Sequence, residues 1–223
     1  MNFRTSLAAA VCLGIACVTP VFAGQYTENF TAPAKADGSI AGWTLPSSGF
    51  TVKPGMLVSD GSSDKQIATW SAPPVGTSIT YTANVTPTAT PGTDWSVAGI
   101  GIILDDQNYW HLAIVKAPTS ANLPNFAELS EMKDGNWNAQ GTAPTNLVIN
   151  NDVPGFVWKT GVTYQFKITL TPTQIQGQIL DGGVVKFSCS DQLSSQAISK
   201  GRPMVDFAGI NANFTSLSAN VLP

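Results

Sequence analysis

The chain shows its fold most plainly in VAGIGIILDDQNYWHLAIVK, residues 97–116. Apolar and small side chains alternate along both halves of this stretch, and the turn formers Asp105 to Asn108 separate the halves. Because successive side chains of a strand point to opposite faces, the pattern predicts a β-hairpin. The face predicted to line the core carries Ala98, Ile100, Ile102 and Leu104 on one strand and Trp110, Leu112 and Ile114 on the other.

The opposite face of the predicted hairpin places the only histidine of the chain, His111, beside Gly99 and Gly101. Tyr109 and Ala113 share this face. A floor without side chains next to a polar group is typical of a ligand-binding sheet. It is also typical of a solvent-facing sheet in which two glycines allow close approach, and this ordinary surface is the commoner of the two. The sequence leaves both interpretations open.

The first 23 residues have the pattern of a secretory signal peptide. Arg4 supplies a basic start, residues 7–18 are apolar, and Val21-Phe22-Ala23 offers a cleavage site. We therefore expect a secreted or periplasmic protein whose mature chain is residues 24–223. A lipoprotein signal that ends at Cys17 is the alternative, although Gly14 stands where a large aliphatic residue is usual. No later apolar run reaches the roughly 18 residues of a transmembrane helix.

Removal of residues 1–23 leaves 200 of the 223 residues, a length that fits a single domain. Only Cys189 would remain, so no intrachain disulfide is expected. The net charge of −3 becomes −4 when Arg4 is lost, which makes nucleic acid an unsuitable partner. Charged residues are only 11% of the chain, and hydroxyl and amide side chains are abundant. This composition is typical of an extracellular β protein, for which we expect a monomer.

No stretch of the chain has a sustained helical period, whereas short alternating runs recur with turn residues between them. These runs predict an all-β fold, a two-sheet antiparallel β-sandwich. Segments 117–125 and 137–162 have no clear period and are predicted to be long surface loops. The predicted strands are residues 50–59, 66–70, 78–86, 96–104, 109–116, 126–132, 163–171, 174–180, 184–190, 204–211 and 217–222.

Turn glycines and core aromatics recur along the chain in a recognisable order. They are Glu28-Asn29-Phe30, Gly42-Trp43, residues 50–57, Ala98-Gly99-Ile100, residues 106–110, Gly161 to Lys167, residues 181–184 and Gly201-Arg202-Pro203. In this order and spacing the chain resembles the concanavalin A-like lectin/glucanase superfamily, in the form of laminin-G-like bacterial secreted jelly-roll domains. The resemblance implies a jelly roll whose concave sheet binds a polysaccharide. Members range from lectins and carbohydrate-binding modules to glycoside hydrolases and polysaccharide lyases, so the fold alone does not choose among them.

The carboxylates on one predicted strand bear on whether the protein is an enzyme. Glucanases similar in fold carry acids at alternate positions of a strand, which point to the same face. Glu128 and Glu131 are three residues apart and are expected to point to opposite faces, so two-carboxylate hydrolysis is disfavoured. If the protein is an enzyme, His111 and Glu128 are the candidate catalytic residues. Lyases of this fold use neutral or cationic groups, and the chain supplies such types without the ordered lyase motifs.

No cofactor or metal is expected, although two calcium sites are conceivable. Asp105-Asp106 offers oxygen ligands but fits a solvated hairpin turn better. Glu28 and Asp206 could meet at the paired chain ends and hold a structural Ca²⁺. Cys189 is expected to be a small core residue rather than a nucleophile.

Tryptophans are the aromatic candidates for stacking on a sugar ring. Trp43, Trp70 and Trp110 fall at core-facing strand positions, whereas Trp95 opens a strand and Trp158 lies in a predicted loop. Trp137, also in that loop, is the best stacking candidate.

The leading functional hypothesis is a secreted glycan-binding β-sandwich of the lectin or carbohydrate-binding-module type, without catalytic activity. A polysaccharide hydrolase or lyase is the alternative. If the hairpin shares a sheet with residues 126–132, 163–171 and 174–180, one register brings their polar faces together over the glycine floor. The predicted ligand-binding residues are His111, Glu128, Trp137, Gln165, Lys167, Gln176 and Gln178, with Ser130 beside them.

Overall fold

The computed structural model describes residues 24–35, 38–138 and 155–223. Two antiparallel sheets lie face to face, which confirms the predicted all-β sandwich. One short 3₁₀ turn, Thr119–Ala121, is the helical element of the described residues. Among these residues no helix is long and apolar enough to cross a membrane. The predicted signal peptide and residues 139–154 of the predicted long loop lie outside the described residues.

The described residues form fifteen strands in the two sheets, and the eleven predicted runs correspond to twelve of them. Residues 50–59 form two strands around the Pro54-Gly55 turn, and the run predicted to end at Asn211 ends at Ala208. The strands are β1 (Gly24–Glu28), β2 (Trp43–Thr44), β3 (Phe50–Lys53), β4 (Met56–Ser59), β5 (Gln66–Trp70), β6 (Ser78–Ala89), β7 (Ser96–Asp105), β8 (Asn108–Lys116), β9 (Phe126–Lys133), β10 (Asn136–Asn138), β11 (Tyr164–Leu170), β12 (Gln174–Asp181), β13 (Val184–Gln192), β14 (Arg202–Ala208) and β15 (Asn211–Leu222).

The strand order separates the chain into an eight-stranded and a seven-stranded sheet. The first has the order β13-β12-β11-β6-β15-β4-β3, with β1 also paired to β15, and the second has the order β10-β9-β8-β7-β14-β5-β2. Strands β11 and β12 therefore lie in the sheet opposite to β7, β8 and β9. The prediction that all five share one sheet is wrong.

The hairpin of residues 97–116 forms as predicted, as β7 and β8. Ala98 pairs with Ile114, Ile100 with Leu112, and Ile102 with Trp110, and all six are buried in the core. Leu104 is the exception, because the register shifts between Ile103 and Asp105 and turns Leu104 outward, where it is 42% exposed. The rest of the pattern holds because each inward residue has an apolar partner directly opposite.

The core lies between the two sheets and includes the indoles of Trp43, Trp70 and Trp110, as predicted. Trp158 is buried as well, contrary to its predicted place in a surface loop, and its indole Nε1 donates to the backbone oxygen of Val115 at 2.8 Å. Cys189 is buried in β13, in agreement with its predicted core position.

Candidate functional site

The outer face of the seven-stranded sheet carries rows of directly opposed residues. In one row, Asp206 of β14 lies opposite Gly99 of β7, Gly99 opposite Ala113 of β8, and Ala113 opposite Glu128 of β9. The two carboxylates at the ends of this row are thus three strand spacings apart, roughly 14 Å between backbones. Gly99 and Ala113 carry little side chain, so the space between the carboxylates stays open to a larger group.

That group is the imidazole of His111, which stands one row further along β8. Its Nδ1 is 3.0 Å from Asp206 Oδ2, and its Nε2 is 3.1 Å from Glu128 Oε1. His111 and Asp206 have no exposed surface, and Glu128 is 5% exposed. Ser130 Oγ, opposite His111 in the pairing of β8 and β9, donates a long hydrogen bond of 3.5 Å to the same Glu128 oxygen. A histidine bridging two buried carboxylates is the centre of the site.

Lys65 extends this cluster on its far side. It lies two residues before Ile67, the partner of Asp206 in β5, and so points to the same face. Its Nζ is 3.3 Å from Asp206 Oδ2 and also donates to the hydroxyl of Tyr109. The second oxygen of Asp206, Oδ1, is buried without a hydrogen-bond partner among the described residues.

Trp137 covers one end of the cluster. It lies in β10 opposite Met132, and its ring centroid is 4.7 Å from that of His111 and 5.9 Å from that of Tyr109. The Lys65 ammonium lies over both neighbouring rings, 4.1 Å from the centroid of Tyr109 and 4.5 Å from that of Trp137. These aromatic contacts shield the cluster from water and supply cation–π attraction.

The protonation of these groups follows from their burial and their charged neighbours. Burial would lower the pKa of His111, but the Asp206 and Glu128 carboxylates outweigh it and raise that pKa above its ordinary value. Burial would raise the pKa of Asp206, but His111 and Lys65 together lower it. For Lys65 burial prevails over the attraction of Asp206, and the pKa is lowered. Tyr109 has a raised pKa, first from burial and then from Asp206.

A pocket of about 470 Å³ opens next to this cluster on the same face. Its lining is largely apolar and includes two indoles, yet it also contains one carboxylate and one ammonium group. The lining residues are Val97, Val115, Ala208, Trp95, Trp137, Glu128 and Lys65. Trp95 is 52% exposed, so one indole remains available at the pocket rim. Glu128 is thus the member of the buried cluster that faces both the imidazole and the pocket.

The structure divides the predicted ligand-binding residues into two groups. His111, Glu128, Ser130 and Trp137 lie together on the outer face of the seven-stranded sheet. Gln165, Lys167, Gln176 and Gln178 lie on β11 and β12 and point outward from the other sheet, across the core. A single site built from all of them is therefore wrong. The alternation of buried and outward side chains along these strands was predicted correctly. Which strands lie side by side, however, depends on long-range pairing that the alternation does not reveal.

Gly99 and Gly101 do not form the open floor that the sequence predicts. A side-chain methyl added at Gly101 would collide with the Met204 side chain and the Trp110 backbone oxygen. One added at Gly99 would collide with the Leu112 backbone oxygen and Ala113. The outer face is therefore filled by neighbours and is neither an open floor nor an ordinary solvent-facing surface.

The predicted separation of Glu128 and Glu131 is confirmed. Glu131 is fully buried on the core side of β9, where its Oε1 accepts a 2.7 Å hydrogen bond from the Ile198 backbone N–H. Of the two glutamates only Glu128 reaches the pocket, and the imidazole of His111 fills the space between Glu128 and Asp206. A two-carboxylate hydrolytic site with room for a sugar between the acids is absent from the described face.

The conceivable calcium pair, Glu28 and Asp206, does not form. Glu28 accepts hydrogen bonds from the Phe30 backbone N–H and the Trp43 indole, whereas Asp206 pairs with His111 and Lys65. Asp105 caps its own turn by accepting from the Gln107 backbone N–H, as expected of a solvated hairpin. The described residues contain no cluster of histidine, cysteine or acidic residues fit to hold a metal ion.

Sequence reasoning missed Asp206 and Lys65 as members of the site. Asp206 is the lone acid in the apolar strand β14, and a carboxylate in such a strand must find a buried partner. With one histidine in the chain, that partner could have been sought at His111. The sequence around Lys65 has no comparable feature, because Lys65 lies in the loop directly before β5.

Sequence comparisons find no matching protein-family model and no matching curated protein. Solved structures match over most of the chain. A CBM66 carbohydrate-binding module from Bacillus subtilis is 14% identical, with 80% of this chain and 95% of that chain covered and a TM-score of 0.55. Peanut lectin is 7% identical, with coverages of 90% and 99% and a TM-score of 0.54. The carbohydrate recognition domain of Emp46p is 11% identical, with coverages of 87% and 95% and a TM-score of 0.56.

These likenesses show the fold alone: the chain has the two-sheet jelly-roll fold seen in these lectins and carbohydrate-binding modules. Its structural neighbours include carbohydrate-binding modules and lectins, in agreement with the resemblance found in the sequence.

Proposed function

We propose that this protein is an exported glycan-binding β-sandwich whose binding site is the pocket on the outer face of the seven-stranded sheet. The observation that carries the proposal is the composition of that pocket, where Trp95 and Trp137 stand beside Glu128 and Lys65. The carbohydrate-binding neighbours support it through the fold. The resemblance assigns binding to the concave sheet, and we assign that role to this face.

The pocket has the chemistry that a sugar requires. An indole face packs against the apolar face of a sugar ring, and a carboxylate accepts hydrogen bonds from its hydroxyls. The buried cluster contains two cationic groups, His111 and Lys65, and two anionic groups, Asp206 and Glu128, so its charges cancel. A cluster without net charge favours a neutral glycan over an acidic one.

Export through the signal at residues 1–23, a single domain over residues 24–223 and a monomeric state stay parts of the proposal. The low content of charged residues, 11%, and the small negative net charge suit an extracellular protein that does not bind nucleic acid.

A glycan array followed by calorimetric titration of the bound oligosaccharide tests the proposed site. Glu128→Gln keeps the shape but removes the charge-assisted acceptor, so we expect a loss of about 1–3 kcal/mol, or roughly 5- to 150-fold in affinity. Trp137→Ala should weaken binding because it removes the stacking surface. Melting temperatures establish that both variants stay folded.

Gln176→Ala is the matched control, because Gln176 lies on the opposite sheet. The sequence pattern predicted Gln176 to be a ligand-binding residue, whereas the proposed pocket predicts that Gln176→Ala leaves binding unchanged. If Gln176→Ala weakened binding while Glu128→Gln and Trp137→Ala left it intact, the pocket would not be the binding site.

An enzyme that acts on a glycan is the second candidate function. A binding site needs only aromatic and amide groups along a groove, whereas an enzyme must bring titratable side chains together in a cleft. Glu128 and Lys65 meet at this pocket, and His111 and Asp206 stand directly behind them.

A further inference from the structure

We infer that the pocket hydrolyses an acyl ester carried by a neutral glycan, with Glu128 as the general base. This inference rests on the proposed glycan binding and goes beyond it. Three observations support it. The first is the buried cluster of Lys65, Asp206, His111 and Glu128. The others are the pocket that Lys65 and Glu128 line and the apolar character of the remaining lining.

The buried cluster is more than glycan binding requires. Taking charged groups out of water is energetically costly, and their mutual attraction offsets this cost only when the geometry is good. Here His111 and Asp206 are fully buried, and Asp206 Oδ1 is left without a partner in the described part of the chain. Buried ionisable groups arranged behind a pocket are characteristic of sites that move protons.

The two pocket-lining members of the cluster have capacity left for a substrate. Among the described residues, His111 and Ser130 both contact Oε1 of Glu128, so Oε2 is available to the pocket. Lys65 has three N–H donors, of which Asp206 and Tyr109 take two. The cluster therefore offers the pocket one proton acceptor, held in place by His111, and one cationic donor, held in place by Asp206.

This arrangement excludes other common reactions of glycans and their esters. Hydrolysis of a glycosidic bond needs a second carboxyl group across the substrate, and His111 fills the space between Glu128 and Asp206. Elimination from a uronate needs surplus positive charge, whereas the charges of this cluster cancel. Ser130 is excluded as a nucleophile because its hydroxyl donates to Glu128 and does not bond to His111.

Ester hydrolysis needs only the two groups that the pocket presents. Glu128 takes a proton from water, and the water oxygen forms a bond to the ester carbonyl carbon. The carbonyl oxygen becomes an oxyanion, which the Lys65 ammonium stabilises. The intermediate then collapses, the bond from carbon to the sugar oxygen breaks, and that oxygen takes the proton back from Glu128. The products are a carboxylic acid and a free sugar hydroxyl, and His111 and Asp206 act as positioning residues.

The lining of the pocket agrees with a substrate of this kind. A row of apolar residues crosses three neighbouring strands beside the row of Glu128. It consists of Ala208 in β14, Val97 in β7 and Val115 in β8. They form an apolar floor on which an acyl group can lie while the sugar packs against an indole. A glycan without an apolar substituent would leave that floor in contact with water.

The test uses the purified wild-type protein, water-soluble O-acetylated oligosaccharides and the same oligosaccharides without acetyl groups. Released acetate and calorimetric binding are measured side by side. We expect the wild type to release acetate and Glu128→Gln to lower kcat at least about 100-fold, in addition to the loss of binding affinity expected above. Asp106→Asn is the matched control, because it makes the same carboxylate-to-amide change at an exposed turn and should leave kcat unchanged.

Binding of the unacetylated oligosaccharide without release of acetate would overturn the ester inference and leave the binding proposal standing. The absence of both binding and release would overturn both. Acetate release that Glu128→Gln leaves intact, or products with new reducing ends or double bonds, would also overturn the assignment.

Discussion

The imidazole of His111 can satisfy both of its neighbours only when it carries a proton on each ring nitrogen. Nδ1 faces Asp206 Oδ2 and Nε2 faces Glu128 Oε1, so a neutral ring would turn one lone pair toward a carboxylate oxygen. The protonated ring gives two charge-assisted hydrogen bonds and brings the charges of the cluster to balance. The charged form of His111 is therefore the form that fits the folded protein.

This protonation makes the stability of the protein depend on pH. The pKa of His111 is raised in the folded state, so its contribution is fully present below the unfolded value of about 6.5 and is lost as pH rises through the folded value. We expect the free energy of unfolding, measured with urea, to fall in that window by at most about 1.4 kcal/mol per pH unit. The lowered pKa of Lys65 changes the stability with pH in the opposite direction to His111. The raised pKa of Tyr109 changes it in the same direction as His111.

His111→Gln isolates the contribution of the imidazole, because the other charged groups that face it, Asp206, Glu128 and Lys65, remain. The difference in unfolding free energy between wild type and His111→Gln should shrink as pH rises above about 6.5. A difference that stays constant or grows over that range would show that the neutral imidazole fits the site as well.

At the scale of the strands, the sequence predicts what is local and misses what is distant. The β7–β8 hairpin was predictable because alternation, turn residues and cross-strand partners agree. Leu104 was misplaced because a register shift at the turn leaves no mark in the alternation. Gln165 and Gln176 were assigned to the wrong sheet because a jelly roll pairs strands that are far apart in the chain. Asp206, 95 residues from His111, joins the site through the same long-range pairing.

One such distant contact ties the segment after residue 154 to the seven-stranded sheet. Trp158 is 1% exposed and donates to the Val115 backbone oxygen in β8, and Asn125 Nδ2 donates to the Trp158 backbone oxygen at 3.3 Å. Trp158→Phe keeps an aromatic ring but leaves the Val115 oxygen without this donor. We expect it to lower the free energy of unfolding by about 1–3 kcal/mol in chemical denaturation.

Trp95→Phe is the control for this substitution, because Trp95 is 52% exposed. It should change the free energy of unfolding by no more than about 0.5 kcal/mol. Equal effects of the two substitutions would mean that the indole of Trp158 does not anchor its segment.

At the scale of the whole molecule, the two outer faces of the sandwich differ in kind. On β11 and β12 the amides and hydroxyls alternate outward as a solvated surface, with Lys167 opposite Gln178 and Thr169 opposite Gln176. On the seven-stranded sheet the corresponding face buries a balanced set of charges under Trp137 and opens a pocket beside it. One fold thus carries an ordinary solvated face and a face with a buried charged cluster and a pocket.

Hydrogen exchange measured by mass spectrometry, with and without a saturating concentration of the tightest-binding oligosaccharide from the array, tests this assignment most directly. Binding at the pocket should slow backbone exchange in Ser96–Asp105, Asn108–Lys116 and Phe126–Lys133, which form the face around Glu128. Exchange in Tyr164–Leu170 and Gln174–Asp181 should stay unchanged. Protection confined to those two strands of the opposite sheet would contradict the account and place the binding site on the face that carries Gln165 and Gln176.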